Sequence, residues 1–247
     1  MNYKGTSCKA VKPHEQPIIF IGRNCIPKVM QFILVFFTFT LPVYSQSSQG
    51  AMQGPVINIY NIGRDLENRG RIQEANTYYN EVIRICSNEI SQNAANRDSY
   101  TAFTWALLRQ RNYGDVIIWG ERGLRLYIDE YRILETIGEA YFYLDDYENS
   151  LRFMQRYVNS QPTGERVSVA YFFIGEIYRL EEKYHLADMA YTTAVRLQPA
   201  IALWWYRLGL AREHLGEPIP AADAYERALR LSPDYQAASE GLARIRR

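Results

Sequence analysis

The chain has 247 residues, with 28 Lys and Arg against 27 Asp and Glu, and only 3 His and 3 Cys. That length can bury a sizeable core in one or two domains. A net charge near +1 excludes a nucleic-acid binder that relies on a strongly basic field. Three cysteines exclude a disulfide-built scaffold, and no pair of them has zinc-ligand spacing.

The most apolar stretch is VMQFILVFFTFTLPVY, residues 29–44. Its 16 residues fall short of the roughly 18 or more that a membrane-spanning helix needs. Arg23 and Lys28 precede it, and it runs into Val43, Tyr44 and Ser45. A basic region, an apolar core and small residues at the last and third-last positions predict a signal peptide over 1–45, cut after Ser45. The expected destination is extracytoplasmic, the bacterial periplasm or secretion. The alternative is an uncleaved segment that anchors the chain to a membrane. Residues 46–54, polar and small, are expected to form a flexible lead. Cleavage would leave Cys86 as the lone cysteine, read as a small apolar residue in a helix.

From Pro55 onward the chain repeats itself. An apolar–Gly pair recurs as Ile62-Gly63, Ile137-Gly138, Ile174-Gly175 and Leu208-Gly209. Twelve residues after each Gly stands Ala75, Ser150, Ala187 or Ala221, and four further on Tyr79, Met154, Tyr191 or Tyr225. Another unit fits between the first two, with Thr104 in the Gly place, Val116 in the Ala place and Gly120 where the large residue belongs. Successive spacings are 41, 34, 37 and 34 residues. The seven extra residues of the first predict added helix or a loop around Ser87–Arg97.

A glycine inside a helix costs about 1 kcal/mol relative to Ala. Its recurrence at one phase therefore predicts a second helix packed close against it, with Gly63, Gly138, Gly175 and Gly209 facing Ala75, Ala187, Ala221 and, in the last turns, Ala228. Pro162, Pro199 and Pro233 mark the ends of second helices. Gly70, Asp145-Asp146 and Gly216 mark turns between paired helices. Pro218 and Pro220 suit the entry to a second helix. The amphipathic tail 236–247, basic at its end, fits a capping helix.

These residues resemble the tetratricopeptide repeat (TPR) family, a helix-turn-helix repeat of about 34 residues. The resemblance covers roughly Val56 to Pro233. It implies an all-α, right-handed solenoid of about five units, at 56–89, 97–130, 131–164, 168–201 and 202–235, with the capping helix after them. It also implies that first helices line a concave groove. The positions three before, one after and four after the Gly place would face that groove. On that basis Tyr60, Arg64, Trp105, Leu108, Glu139, Phe142, Phe172, Glu176, Arg179 and Tyr206 are the groove candidates. The aromatic residues would anchor apolar side chains of a partner and the charges would fix its direction. Packing aromatics in the core is the plain alternative.

The carboxylate clamp of chaperone-binding relatives needs Lys and Asn in the groove. Beyond residue 45 the only lysine is Lys183, so that clamp is not expected. Glu139 and Glu176 occupy equivalent places in adjacent units, too loosely spaced for acid–base work and without His or Cys support for a metal. His185 and His214 share no HExxH spacing, and no GxxxxGK[ST], GxSxG or GxGxxG motif is present. The expected function is a non-catalytic scaffold that holds a protein or peptide partner, with no cofactor, no metal and no nucleic acid. The alternative is an accessory or ligand-binding subunit of a periplasmic transport or envelope-assembly system.

Overall fold

The computed structural model describes residues 54–92 and 96–246. The expected signal peptide and nearly all of the lead lie outside the described residues. Eleven helices follow one another among those residues. They are α1 (Pro55–Asn68), α2 (Ile72–Gln92), α3 (Arg97–Arg109), α4 (Tyr113–Leu126), α5 (Tyr131–Tyr143), α6 (Tyr147–Ser160), α7 (Val167–Leu180), α8 (Tyr184–Leu197), α9 (Ala202–His214), α10 (Pro218–Leu231) and α11 (Gln236–Ile245). No described helix is long and apolar enough to cross a membrane.

Each odd helix up to α9 forms a hairpin with the even helix that follows it. Odd helices also touch one another, α1 on α3, α3 on α5, α5 on α7 and α9 on α11. The result is an all-helical solenoid in which odd helices form one layer.

The hairpin turns are built alike. Gly70, Arg111, Asp145, Glu182 and Gly216 all adopt positive φ, between 58° and 75°. Each stands seven residues after the Gly place. The next amide reaches back five positions, as in Arg71 N–H to Leu66 O at 2.9 Å and Lys183 N–H to Tyr178 O at 2.8 Å. This is the Schellman closure, which satisfies carbonyls left open at a helix end. Side-chain caps begin some helices: Asp146 accepts from the Asn149 amide and Asn96 from the Ser99 amide.

The recurring glycines lie where expected against the second helices. A Cβ on Gly175 or Gly209 would stand 2.6 Å from the ring of Tyr191 or Tyr225. One on Gly63 would stand 2.8 Å from Tyr79, and one on Gly138 3.1 Å from Met154. Ala75, Ala187, Ala221 and Ala228 are all buried. Ser150 replaces the alanine in the third pair and turns its hydroxyl onto the Gly138 carbonyl at 2.7 Å.

The second pair solves the same problem in reverse. Thr104 brings bulk to the Gly place, and its hydroxyl is satisfied by the carbonyls of Tyr100 and Thr101. Gly120 removes bulk opposite it, and Ile137 of α5 fills the gap, 2.7 Å from where a Gly120 Cβ would be. The extra residues of the first interval are helix: α2 has 21 residues where α4, α6, α8 and α10 have 14. Val82, Cys86 and Ile90 continue its buried stripe.

Candidate partner-binding pocket

Side chains of α1, α3 and α5, with the connection from α6 to α7, line an open cavity of about 640 Å³. Three odd helices supply its walls because their small residues face the even helices, leaving the longer side chains for the other side. Residues 161–166 close one flank. Gly164 is tightly placed there: a Cβ would meet the Tyr157 hydroxyl at 2.6 Å.

One wall is aromatic and guanidinium. Tyr60 of α1 lies 5.5 Å from Trp105 of α3 and 5.8 Å from Tyr79, centroid to centroid. The Tyr60 hydroxyl accepts from Arg109 Nε at 3.3 Å. Glu67 stands 3.9 Å from Arg109 and accepts from the Tyr79 hydroxyl at 2.6 Å. Burial, then that hydrogen bond, pushes the Tyr79 phenol well above its usual range. Arg64 lines the rim and is exposed.

A charge cluster adjoins the cavity, contributing Glu135 and Arg166 to its lining. Arg166 donates to Glu135 through Nε at 2.9 Å and Nη2 at 2.7 Å, and to Glu139 at 3.0 Å. The Glu135 and Glu139 side chains are 4% and 12% exposed. Two largely buried carboxylates thus share one guanidinium. Burial, then the charge of Glu135, raises the Glu139 carboxyl to about 7 against the pull of Arg166 and Arg109. The Glu135 charge, in turn, holds Arg166 firmly protonated. Arg132 is bound elsewhere, to Glu130 at 2.6 Å and Asp98 at 3.0 Å.

Of the groove candidates, Tyr60, Arg64, Trp105 and Leu108 come together in the cavity, and Glu139 stands behind Arg166. Tyr60 is 5% exposed and acts as wall. The others lie further along the odd helices. Phe142 packs edge-on to Phe173 at 4.9 Å, Phe172 stacks on Trp204 at 5.2 Å, and Tyr206 meets Tyr235 at 5.1 Å. Glu176 is buried. It accepts from the Tyr191 hydroxyl and pairs with Arg179 and Arg207.

Arg109, Arg166, Tyr131 and Tyr157 also line the cavity and were not among the candidates. Arg109 lies one residue past the four-after position. Arg166 lies in the connection, which the sequence signals through Pro162 and a 37-residue interval where 34 is the rule. Among the described residues no group of three or more His, Cys, Asp or Glu is placed to hold a metal ion.

Residues 168–201 and 202–235 each match a family model described as tetratricopeptide repeat. No curated protein matches the chain. Solved structures do. YrrB, described as a TPR protein with an unusual peptide-binding site, is 17% identical and covers 75% of this chain and 91% of its own, with a TM-score of 0.53. MamA from Desulfovibrio magneticus is 19% identical, covering 75% and 99%, at 0.54. A thermophilic TPR protein of Thermus thermophilus is 15% identical, covering 77% and 98%, at 0.57. At these identities the likeness is one of fold. The chain therefore carries tetratricopeptide repeats, matched directly over 168–235, within an all-helical solenoid of TPR-like units.

Proposed function

We propose that the chain is a non-catalytic scaffold that binds a segment of a partner protein on the face formed by its odd helices. The observation that carries this is the cavity between α1, α3 and α5, large enough for two or three side chains and lined by both aromatic and charged groups. The peptide-binding site named for YrrB supports the reading by analogy of fold. Selection of random heptapeptides displayed on phage against the whole chain tests it. Peptides should be recovered that lose affinity about tenfold on Trp105→Ala, the cost of removing a buried aromatic anchor. Failure to recover any, or recovery of peptides indifferent to Trp105, would refute it.

The flank closed by residues 161–166 favours a second reading, a pocket for a small ligand in an accessory subunit of a transport or envelope-assembly system. Native mass spectrometry of the gently purified protein separates the two, since a retained small molecule belongs to the second alone. We also propose an extracytoplasmic location, on the strength of the 23–45 sequence pattern. The supporting result is an amino terminus at Gln46 in the exported fraction; an intact terminus in the cytosol would oppose it.

A further inference from the structure

The charged side chains that line the cavity are Arg64, Arg109, Arg132 and Arg166 against Glu135 and Glu165. Cations outnumber anions two to one, but they are not equally available. Arg132 is held by Glu130 at 2.6 Å and Asp98 at 3.0 Å. Arg166 is held by Glu135 at 2.7 Å and Glu139 at 3.0 Å. Both guanidinium groups already have carboxylate partners at contact distance.

The other two are placed differently. Arg64 is exposed and makes no ion pair or hydrogen bond through its side chain among the described residues. Arg109 donates one hydrogen bond, from Nε to the Tyr60 phenol oxygen at 3.3 Å, and its nearest carboxylate, Glu67, is 3.9 Å away. Glu67 is itself engaged by the Tyr79 hydroxyl at 2.6 Å and does not line the cavity. The two Nη groups of Arg109 thus have no hydrogen-bond acceptor among the described residues.

Repeat geometry puts these two arginines together. Arg64 stands four residues after Tyr60 on α1, and Arg109 four residues after Trp105 on α3. Four residues is one helical turn along the same face. The Tyr60 and Trp105 rings lie 5.5 Å apart. As alternate members of stacked hairpins, α1 and α3 run the same way, so both arginines extend beyond the same end of the ring pair. The Arg109 bond to Tyr60 ties the second arginine to the first helix.

We propose that this part of the pocket receives the side-chain carboxylate of an aspartate or glutamate in the partner segment, held between Arg64 and Arg109, with the neighbouring residue of the segment against Trp105. The inference rests on the reading that the pocket binds a partner segment, and it names that segment's chemistry. A guanidinium is the group best shaped for two-pronged pairing with a carboxylate. The net positive lining favours an anion over a cation, and the aromatic pair beside it supplies the apolar contact that a lone charge does not.

The test uses the full chain and heptapeptides displayed on phage with their carboxyl ends fused to the coat protein, so that any acid selected is a side chain. Aspartate or glutamate should be enriched among the binders. The strongest binder is then synthesised with an amidated end, once with its acid and once with the matching amide. The amide should weaken binding to the wild-type chain by about tenfold or more, as loss of a close charge pair does. Raising the salt should weaken the acidic version more than the amide. The difference between the two versions should shrink on Arg64→Gln and on Arg109→Gln. Thermal melts check that each variant is folded, and Arg64, being exposed, decides alone if Arg109→Gln is not. Peptides selected without acidic residues, equal affinities for the two versions, or a difference undiminished in the folded variants would overturn the inference while leaving the pocket reading intact. No peptides at all would overturn both.

Discussion

Residue by residue, the interior of the solenoid is an exchange of bulk between paired positions. The Tyr191 ring occupies the space that a Gly175 side chain would take. Its hydroxyl is anchored on buried Glu176, so the ring has little freedom to retreat. Gly175→Ala should therefore destabilise the protein by about 1–3 kcal/mol, through overpacking that outweighs the gain in helix propensity. A denaturant titration measures this, and an unchanged midpoint would contradict the packing. The hairpin turns carry the opposite opportunity. Glu182 holds φ at 59°, a conformation that costs a non-glycine residue about 1–2 kcal/mol. Its equivalents Gly70 and Gly216 adopt it without a Cβ. Glu182→Gly should raise the midpoint, while glycine's added freedom in the unfolded chain trims the gain. A lowered midpoint would mean that Glu182 contributes more than its backbone angle.

Among the elements, α11 is the last of the described helices and packs on α10 and α9. Its Gly241 brings the backbone onto Tyr225, where a Cβ would meet the ring at 2.5 Å. Arg244 donates to Glu213 at 2.8 and 3.0 Å, and Ala238 is fully buried. Truncation after residue 235 strips this cover from Tyr225 and Ala228 and should lower thermal stability and solubility, as removal of a terminal cap does in a repeat array. A truncated chain that melts like the whole would show the cap to be dispensable. The hairpins were legible in the sequence because glycine phase, helix-ending prolines and turn residues all report local geometry. The longer α2 was visible as seven added residues, but spacing alone does not separate helix from loop; the buried run of Val82, Cys86 and Ile90 is what decides it. The turns at Arg111 and Glu182 escaped notice because neither residue type signals a positive φ. Thr104 and Gly120 depart from the repeat pattern in the second unit. Their compensation comes from Ile137 in the next pair, a contact that no alignment of single units displays.

At the scale of the whole molecule, the pocket exists only where three hairpins and one connection meet, which is why its make-up was the least legible part. Tyr60, Trp105 and Leu108 follow from repeat phase. Arg166 does not, since a connection has no phase, and its pairing with Glu135 and Glu139 spans 31 and 27 residues of chain. That pairing has a consequence for the stability of the entire fold. Glu139 titrates near 7 in the folded chain and near 4.5 when unfolded. Above about pH 7 the carboxyl is ionised in both states, and the cost of burying its charge beside Glu135 weighs fully on the folded state. As the pH falls from 7 toward 4.5, the folded chain takes up a proton that the unfolded chain does not. Folding is then favoured progressively, because stability follows the difference in bound protons. Below that range both states are protonated and the cost is gone. Glu139→Gln mimics the protonated form at every pH. Its melting temperature should exceed that of the wild type most at pH 8, and the gap should shrink steadily toward pH 5. Arg166 stays charged throughout this range, so its own titration adds no slope. A gap that stays constant from pH 8 to pH 5 would mean that Glu139 ionises normally in the folded chain and that Arg166 neutralises both carboxylates unaided.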